Sequence, residues 1–131
     1  MDMIKTIKKD LASYKDQLAK LDQSWYLTQE SVFTHSTTVE KISTARTVAH
    51  LETILGEWKS GKIDEHDIKA LGDYWVRRFL DEKLRVRFDV SPGSTMDSQM
   101  RIQYATNLMK TFYPFASDGV KAAIKELEIS F

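Results

Sequence analysis

Apolar side chains fall at Ile4, Ile7, Leu11, Tyr14, Leu18, Leu21 and Trp25, in alternating steps of three and four. That spacing draws one stripe down a helix, the heptad seam by which a helix packs against another helix. No glycine precedes Gly56 and no proline precedes Pro92, so the covalent chain offers no interruption. Beyond Trp25 the seam weakens, because Thr28 and His35 occupy two of its next positions. A single helix from Asp2 to Trp58 would be about 85 Å long. A domain of this size has a radius of gyration of about 14 Å, so the rod must break. The break is predicted at Phe33–Thr38, where Thr34, Ser36, Thr37 and Thr38 compete for backbone hydrogen bonds.

The first helix is expected to start at the N-cap Asp2 and run past Leu21. The second is expected from about Thr38, through a Thr37–Glu40 capping box, to Lys59. It should turn Ile42, Ala45, Val48, Leu51, Leu55 and Trp58 inward and end at Ser60-Gly61. Asp64 caps a third helix with Asp67 at the third helical position. Its buried line is Ile68, Leu71, Trp75 and Phe79, widened by Val76 and Leu80. The opposite face, Lys69, Asp73, Arg77, Asp81 and Arg85, alternates in sign as a solvated face does. A fourth helix begins at Ser94 or Thr95 and is stopped by Pro114. A short last helix begins at Ser117 or Asp118.

Two segments carry a different period. Leu84, Val86, Phe88 and Val90 alternate with Arg85, Arg87 and Asp89, and Leu127, Ile129 and Phe131 alternate with Glu126, Glu128 and Ser130. Alternation is the signature of a half-buried strand. Residues 84–90 and 126–131 are therefore either a small two-stranded β element, with arginines facing glutamates across it, or two helix ends. The expected fold is mainly α: a bundle of about five helices, opened by a long N-terminal helical hairpin, with or without that element. Residues 1–131 are expected to form a single helical domain.

Hydrophobic content of 42% and charged content of 29% suit an ordered core. Lys plus Arg and Asp plus Glu number 19 each, so no net field gathers nucleic acid or anionic membrane. Cysteine is absent, which removes disulfides, thiolate metal sites and thiol nucleophiles. No segment reads as a signal peptide or a membrane span. A cytoplasmic location, no cofactor, no metal and no membrane partner are expected.

Catalytic chemistry has few candidates. Asp64-Glu65-His66-Asp67 has the composition of a metal site, but neighbouring residues on a helix point apart. Acidic residues at a helix start are explained by capping and the macrodipole. Arg46 and His50 lie four apart on one face of the second helix, with Thr47, Val48 and Ala49 between them. This pair loosely resembles that of the HEPN ribonucleases, all-helical dimers whose arginine and histidine act at the dimer interface. That family usually spaces the pair by at least four residues, where this chain has three. The resemblance implies RNA cleavage or RNA binding, with His50 as acid or base and Arg46 stabilising phosphate charge. Arg77, Arg78, Arg85 and Arg87 are candidates for contacting nucleic acid, although Asp81, Glu82 and Asp89 interrupt them.

The favoured reading is a small non-enzymatic protein-binding module, regulatory or accessory, acting through a helical interface with a protein partner or as a homodimer. Ile4, Ile7, Leu11, Tyr14 and Leu18 of the seam are its interface candidates. Trp25, Tyr26 and Tyr74 join them from aromatic doublets in which only one ring can face a core squarely. The alternative is an RNA-cleaving or RNA-binding protein using Arg46 and His50. Whether the seam is covered by this chain's own helices or by another subunit is left open.

Overall fold

Asp2 opens the first helix: its Oδ1 accepts the N–H groups of Ile4 at 3.1 Å and Lys5 at 3.2 Å. Helix α1 spans Met3–Leu27 and α2 spans His35–Lys59. The computed structural model describes the backbone of residues 2–27, 35–88 and 95–130 and the side chains of 2–21, 39–85 and 98–126. Helix α2 begins earlier than the hydroxyl pattern predicts, so Thr37 lies inside its first turns and not at a cap. The rest of the expected break, at Phe33 and Thr34, lies outside the described residues.

A left-handed glycine ends α2. Gly61 has φ +79°, its N–H reaches the Trp58 carbonyl at 3.1 Å, and Lys62 reaches that of Glu57 at 2.9 Å. These two bonds form a Schellman cap. Gly61→Ala is expected to cost about 1 kcal/mol, because a Cβ crowds the following carbonyl at positive φ. A urea titration of the variant checks this. Helix α3, Glu65–Phe88, starts from a reciprocal cap: Asp67 N–H donates to Asp64 Oδ1 at 3.0 Å, and Asp64 N–H to Asp67 Oδ2 at 2.9 Å. The Asp67 N–H holds the Asp64 carboxyl below the ordinary carboxylate range. Helix α4, Thr95–Phe112, passes into a 3-10 turn at Tyr113–Phe115 that contains Pro114, and α5 spans Asp118–Ser130.

The bundle is built around α4, which packs α2 on one side and α3 on the other. Helix α1 lies along α2 as the second arm of a hairpin and also touches α4, while α5 and the 3-10 turn close over α3. Ile7, Leu51, Ile54, Ile68, Trp75, Leu108, Phe112 and Phe115 form the main core. A second cluster of Val76, Phe79, Met109, Ala116 and Ile124 sits beneath α5.

The β element is not formed. Residues 84–88 continue α3 and 126–130 continue α5; residues 89, 90 and 131 lie outside the described residues. No strand occurs among the described residues. The core stripe of α3 does not stop at Phe79, because Glu82 takes the next inward position at 1% exposure. Leu84 is thereby turned out and is 42% exposed. In α5, Leu127 follows Val120 and Ile124 by seven and three residues, so the same apolar residues also satisfy a helical period. An isolated two-stranded ribbon is marginal in water, and extending a helix already in place is the cheaper solution.

The N-terminal half of α2 also departs from its apolar pattern. Ala45 is exposed and Ile42 only half-buried, while Ser43, Thr44 and Thr47 are fully buried. Two of these hydroxyls are accommodated inside the helix: Ser43 Oγ donates to the Val39 carbonyl at 2.6 Å and Thr47 Oγ1 to the Ser43 carbonyl at 2.8 Å. Thr47 Oγ1 also accepts Asn107 Nδ2 at 3.1 Å, and Gln103 Nε2 donates to Asn107 Oδ1 at 2.9 Å. From α1, Tyr14 OH reaches the Asn107 carbonyl at 3.4 Å and Asp10 Oδ2 accepts Thr111 Oγ1 at 2.8 Å. A polar layer thus joins α1, α2 and α4 above the apolar core. Burial, followed by the Asp10 charge, raises the Tyr14 phenol above its ordinary range.

Candidate functional site

The α1 seam packs against the chain's own helices. Ile7 is fully buried, and Ile4, Leu11 and Tyr14 pack against the main core; Leu18 is half-buried. The chain's own helices thus cover Ile7 completely and Ile4, Leu11, Tyr14 and Leu18 in part. Trp25 and Tyr26 lie on the last turn of α1, and their side chains are outside the described residues.

Other candidates converge where α2, α3 and α4 meet. Trp75 of α3 is 6% exposed and receives three rings edge-on. Their centroids lie at 5.3 Å for His50 of α2, 5.5 Å for Tyr104 of α4 and 4.9 Å for its own neighbour Tyr74. His50 and Tyr104 also meet edge-to-face at 6.3 Å. Such contacts place the positive rim of one ring on the negative face of another. Tyr74 is held by this cluster yet remains 51% exposed. Arg46 is exposed one helical turn before His50, and the Arg46 and Arg78 charges both act on the Tyr104 phenol. Burial outweighs them, and Tyr104 is raised above the ordinary tyrosine range.

Of the proposed catalytic pair, Arg46 and His50 share this flank of α2. The imidazole is committed to packing: it is half-buried between Trp75 and Tyr104, and its Nε2 has no hydrogen-bond partner among the described residues. Burial lowers the His50 pKa from 6.5, with Glu57 opposing. The unfolded chain therefore takes up a proton first as the pH falls below 6.5, and folded stability drops from there to the lower folded value. Above 6.5 both states are neutral and His50 contributes no slope. His50→Phe is expected to flatten the stability profile in that window, as urea midpoints measured from neutral to mildly acidic pH would show.

The arginines proposed to contact nucleic acid have different surroundings. Arg77 and Arg85 are exposed on α3, and the Arg87 side chain lies outside the described residues. Arg78 pairs with the buried Glu82 carboxylate at 3.1 Å. Arg101 of α4 approaches the other carboxylate oxygen through Nε at 3.3 Å and also donates to Ser98 Oγ at 3.3 Å. Lys83 lies over the Phe79 ring, 5.3 Å from its centroid. Neither Arg101 nor Tyr104 stood out in the sequence. A buried glutamate leaves no mark on apolar periodicity, and Tyr104 reads there as an ordinary core residue.

Among the described residues, no helix is long and apolar enough to cross a membrane. No family model, curated protein or solved structure matches this chain.

Proposed function

We propose that this chain is a non-enzymatic protein-binding module, regulatory or accessory in role, which pairs first with a second copy of itself in the cytoplasm. The observation that carries this reading is Tyr74: half its surface is in water while its ring rests edge-on against buried Trp75. Tyrosine, tryptophan and arginine are the residues that dominate interface energetics. A ring already held in place loses little rotamer freedom when a partner covers it. Exposed Arg46 and half-buried Tyr104 adjoin this cluster through His50. A two-fold dimer would bring the same patch from both copies together.

Sedimentation velocity over the micromolar range tests the reading. The expected result is a reversible dimer for the wild type and a monomer for Tyr74→Glu. A wild type that stays at 15.1 kDa throughout overturns the self-pairing. The second reading, an RNA-cleaving or RNA-binding protein, is motivated by Arg46 and His50 sharing one flank of α2. Cleavage of single-stranded RNA that disappears in both Arg46→Ala and His50→Ala would replace the first reading with the second.

A further inference from the structure

We propose that the groove between α1 and α2 docks a helical segment of a partner protein whose apolar side chains are flanked by carboxylates. This rests on the protein-binding reading and names the partner's chemistry, at a surface separate from Tyr74. Ile4 and Lys8 of α1 and Leu55, Gly56, Trp58 and Lys59 of α2 line a groove of about 610 Å³. Ile4, Leu55 and Trp58 are half-buried outliers of the main core, so apolar surface reaches the groove without being fully covered. By helical period, Gly56 and Lys59 lie on the opposite flank of α2 from Arg46 and His50.

The groove's charge has one sign. Two lysines line it and no carboxylate does. Lys8 and Lys59 are exposed and have no ion-pair partner among the described residues. Of the acidic groups on these two helices, Glu52 pairs with Lys15 at 3.4 Å, Asp10 accepts from Thr111 at 2.8 Å and Asp2 caps the α1 N-terminus, while the charge of Glu57, between two lining residues in sequence, acts on His50. An occupant that buries apolar surface here and answers both lysines carries carboxylates beside its apolar stripe.

Gly56 leaves room for the backbone of such a helix. It lies inside α2 without a positive φ, and a Cβ built on it meets nothing within 4 Å. Neither the backbone nor the chain's own packing calls for glycine, which weakens a helix. Its absent side chain leaves a notch in the groove wall through which a second backbone can approach closely.

Two synthetic capped peptides, amphipathic helices of about five turns, serve as probes. They share one leucine stripe, and their polar positions are glutamate in one and lysine in the other. Each is fluorescently labelled and titrated by anisotropy with the full chain. The glutamate peptide is expected to bind, more weakly as salt rises, and the lysine peptide to stay free. The double variant Lys8→Glu/Lys59→Glu and the notch-filling Gly56→Leu are each expected to weaken binding about tenfold. Tyr74→Glu should leave it unchanged. The proposal is overturned if the glutamate peptide does not bind, if both peptides bind equally, or if the groove variants have no effect. Binding of dodecanoate in place of either peptide overturns it in favour of a small anionic amphiphile. Should Gly56→Leu fail to fold, the double variant at two exposed lysines carries the test. A monomeric wild type that binds the glutamate peptide removes the Tyr74 pairing and leaves the groove. A Tyr74-dependent dimer that ignores the peptide does the reverse.

Discussion

Gly72→Ala is expected to destabilise the protein by about 3 kcal/mol, against the ordinary preference of helices for alanine. Gly72 is buried in the middle of α3. A Cβ there would lie 2.7 Å from Ala116 N, 2.8 Å from the Phe112 carbonyl oxygen and 3.0 Å from Ala116 Cα. All three are backbone atoms of the end of α4 and the turn that follows it, so no side chain can rotate away. The neighbouring residue fastens the same junction, because Asp73 Oδ1 accepts the Ser117 N–H at 2.7 Å. Helix α3 and the turn must separate to admit one methyl group, and that disturbs Phe112 and Phe115 in the core beneath them. Gly56→Ala is the matched control. With open space around its Cβ, it should stabilise the chain by about 0.5–1 kcal/mol. Urea denaturation of both variants measures the contrast. Equal stabilities would mean that α3 and the turn are not in close contact.

The second large effect is expected at Glu82. Arg101→Ala should cost about 3 kcal/mol, whereas Glu82→Met should be close to neutral. The asymmetry follows from where each charge sits. The Glu82 side chain is 1% exposed, while those of Arg101 and Arg78 are 29% and 42% exposed. Only the carboxylate gives up its water. Removing Arg101 leaves one of its oxygens buried with its cation gone, and Arg78 alone must compensate for the desolvation. Removing the carboxylate leaves two arginines that can turn toward solvent, and methionine fills the space with apolar surface. Thermal denaturation of the two variants side by side checks the order. If Glu82→Met proves the worse, the desolvation argument fails.

The caps and the long stripes were legible in the sequence because they depend on residues close along the chain. Asp2, Asp64 with Asp67, Gly61 and Pro114 all act within a turn or two of where they stand, as the pattern implies. The α1–α2 hairpin followed from chain length and the weakening seam. Between the two alternatives left open for residues 84–90, the described part, 84–88, is a helix end, and Glu82 in the turn before it occupies a core position that an apolar count does not reveal. Asp73 has a contact that its spacing does not show. It reads as one step of a solvated charge ladder, yet it ties the turn before α5 to α3. In α2, Ser43 and Thr47 fall outside the expected apolar line, but bonds to their own helix and to Asn107 let them be buried.

The candidate surface divides along the same line. Tyr74 was visible as half of an aromatic doublet, and Arg46 with His50 as an i, i+4 pair. That these residues belong to one cluster with Trp75 and Tyr104 depends on how α2, α3 and α4 cross, which no local spacing records. By itself, the sequence determined that the chain is helical, where its helices are capped, and that the first two form a hairpin. Those features are local, and backbone hydrogen bonding with neighbouring side chains is enough to set them. Tertiary structure decided that Ile7 of the α1 seam is buried in the chain's own core, that α3 touches backbone at Gly72, and that Glu82 is buried where α3 runs on as a helix. Each of these depends on a partner far away in sequence, and burial and charge pairing act only once the helices have met.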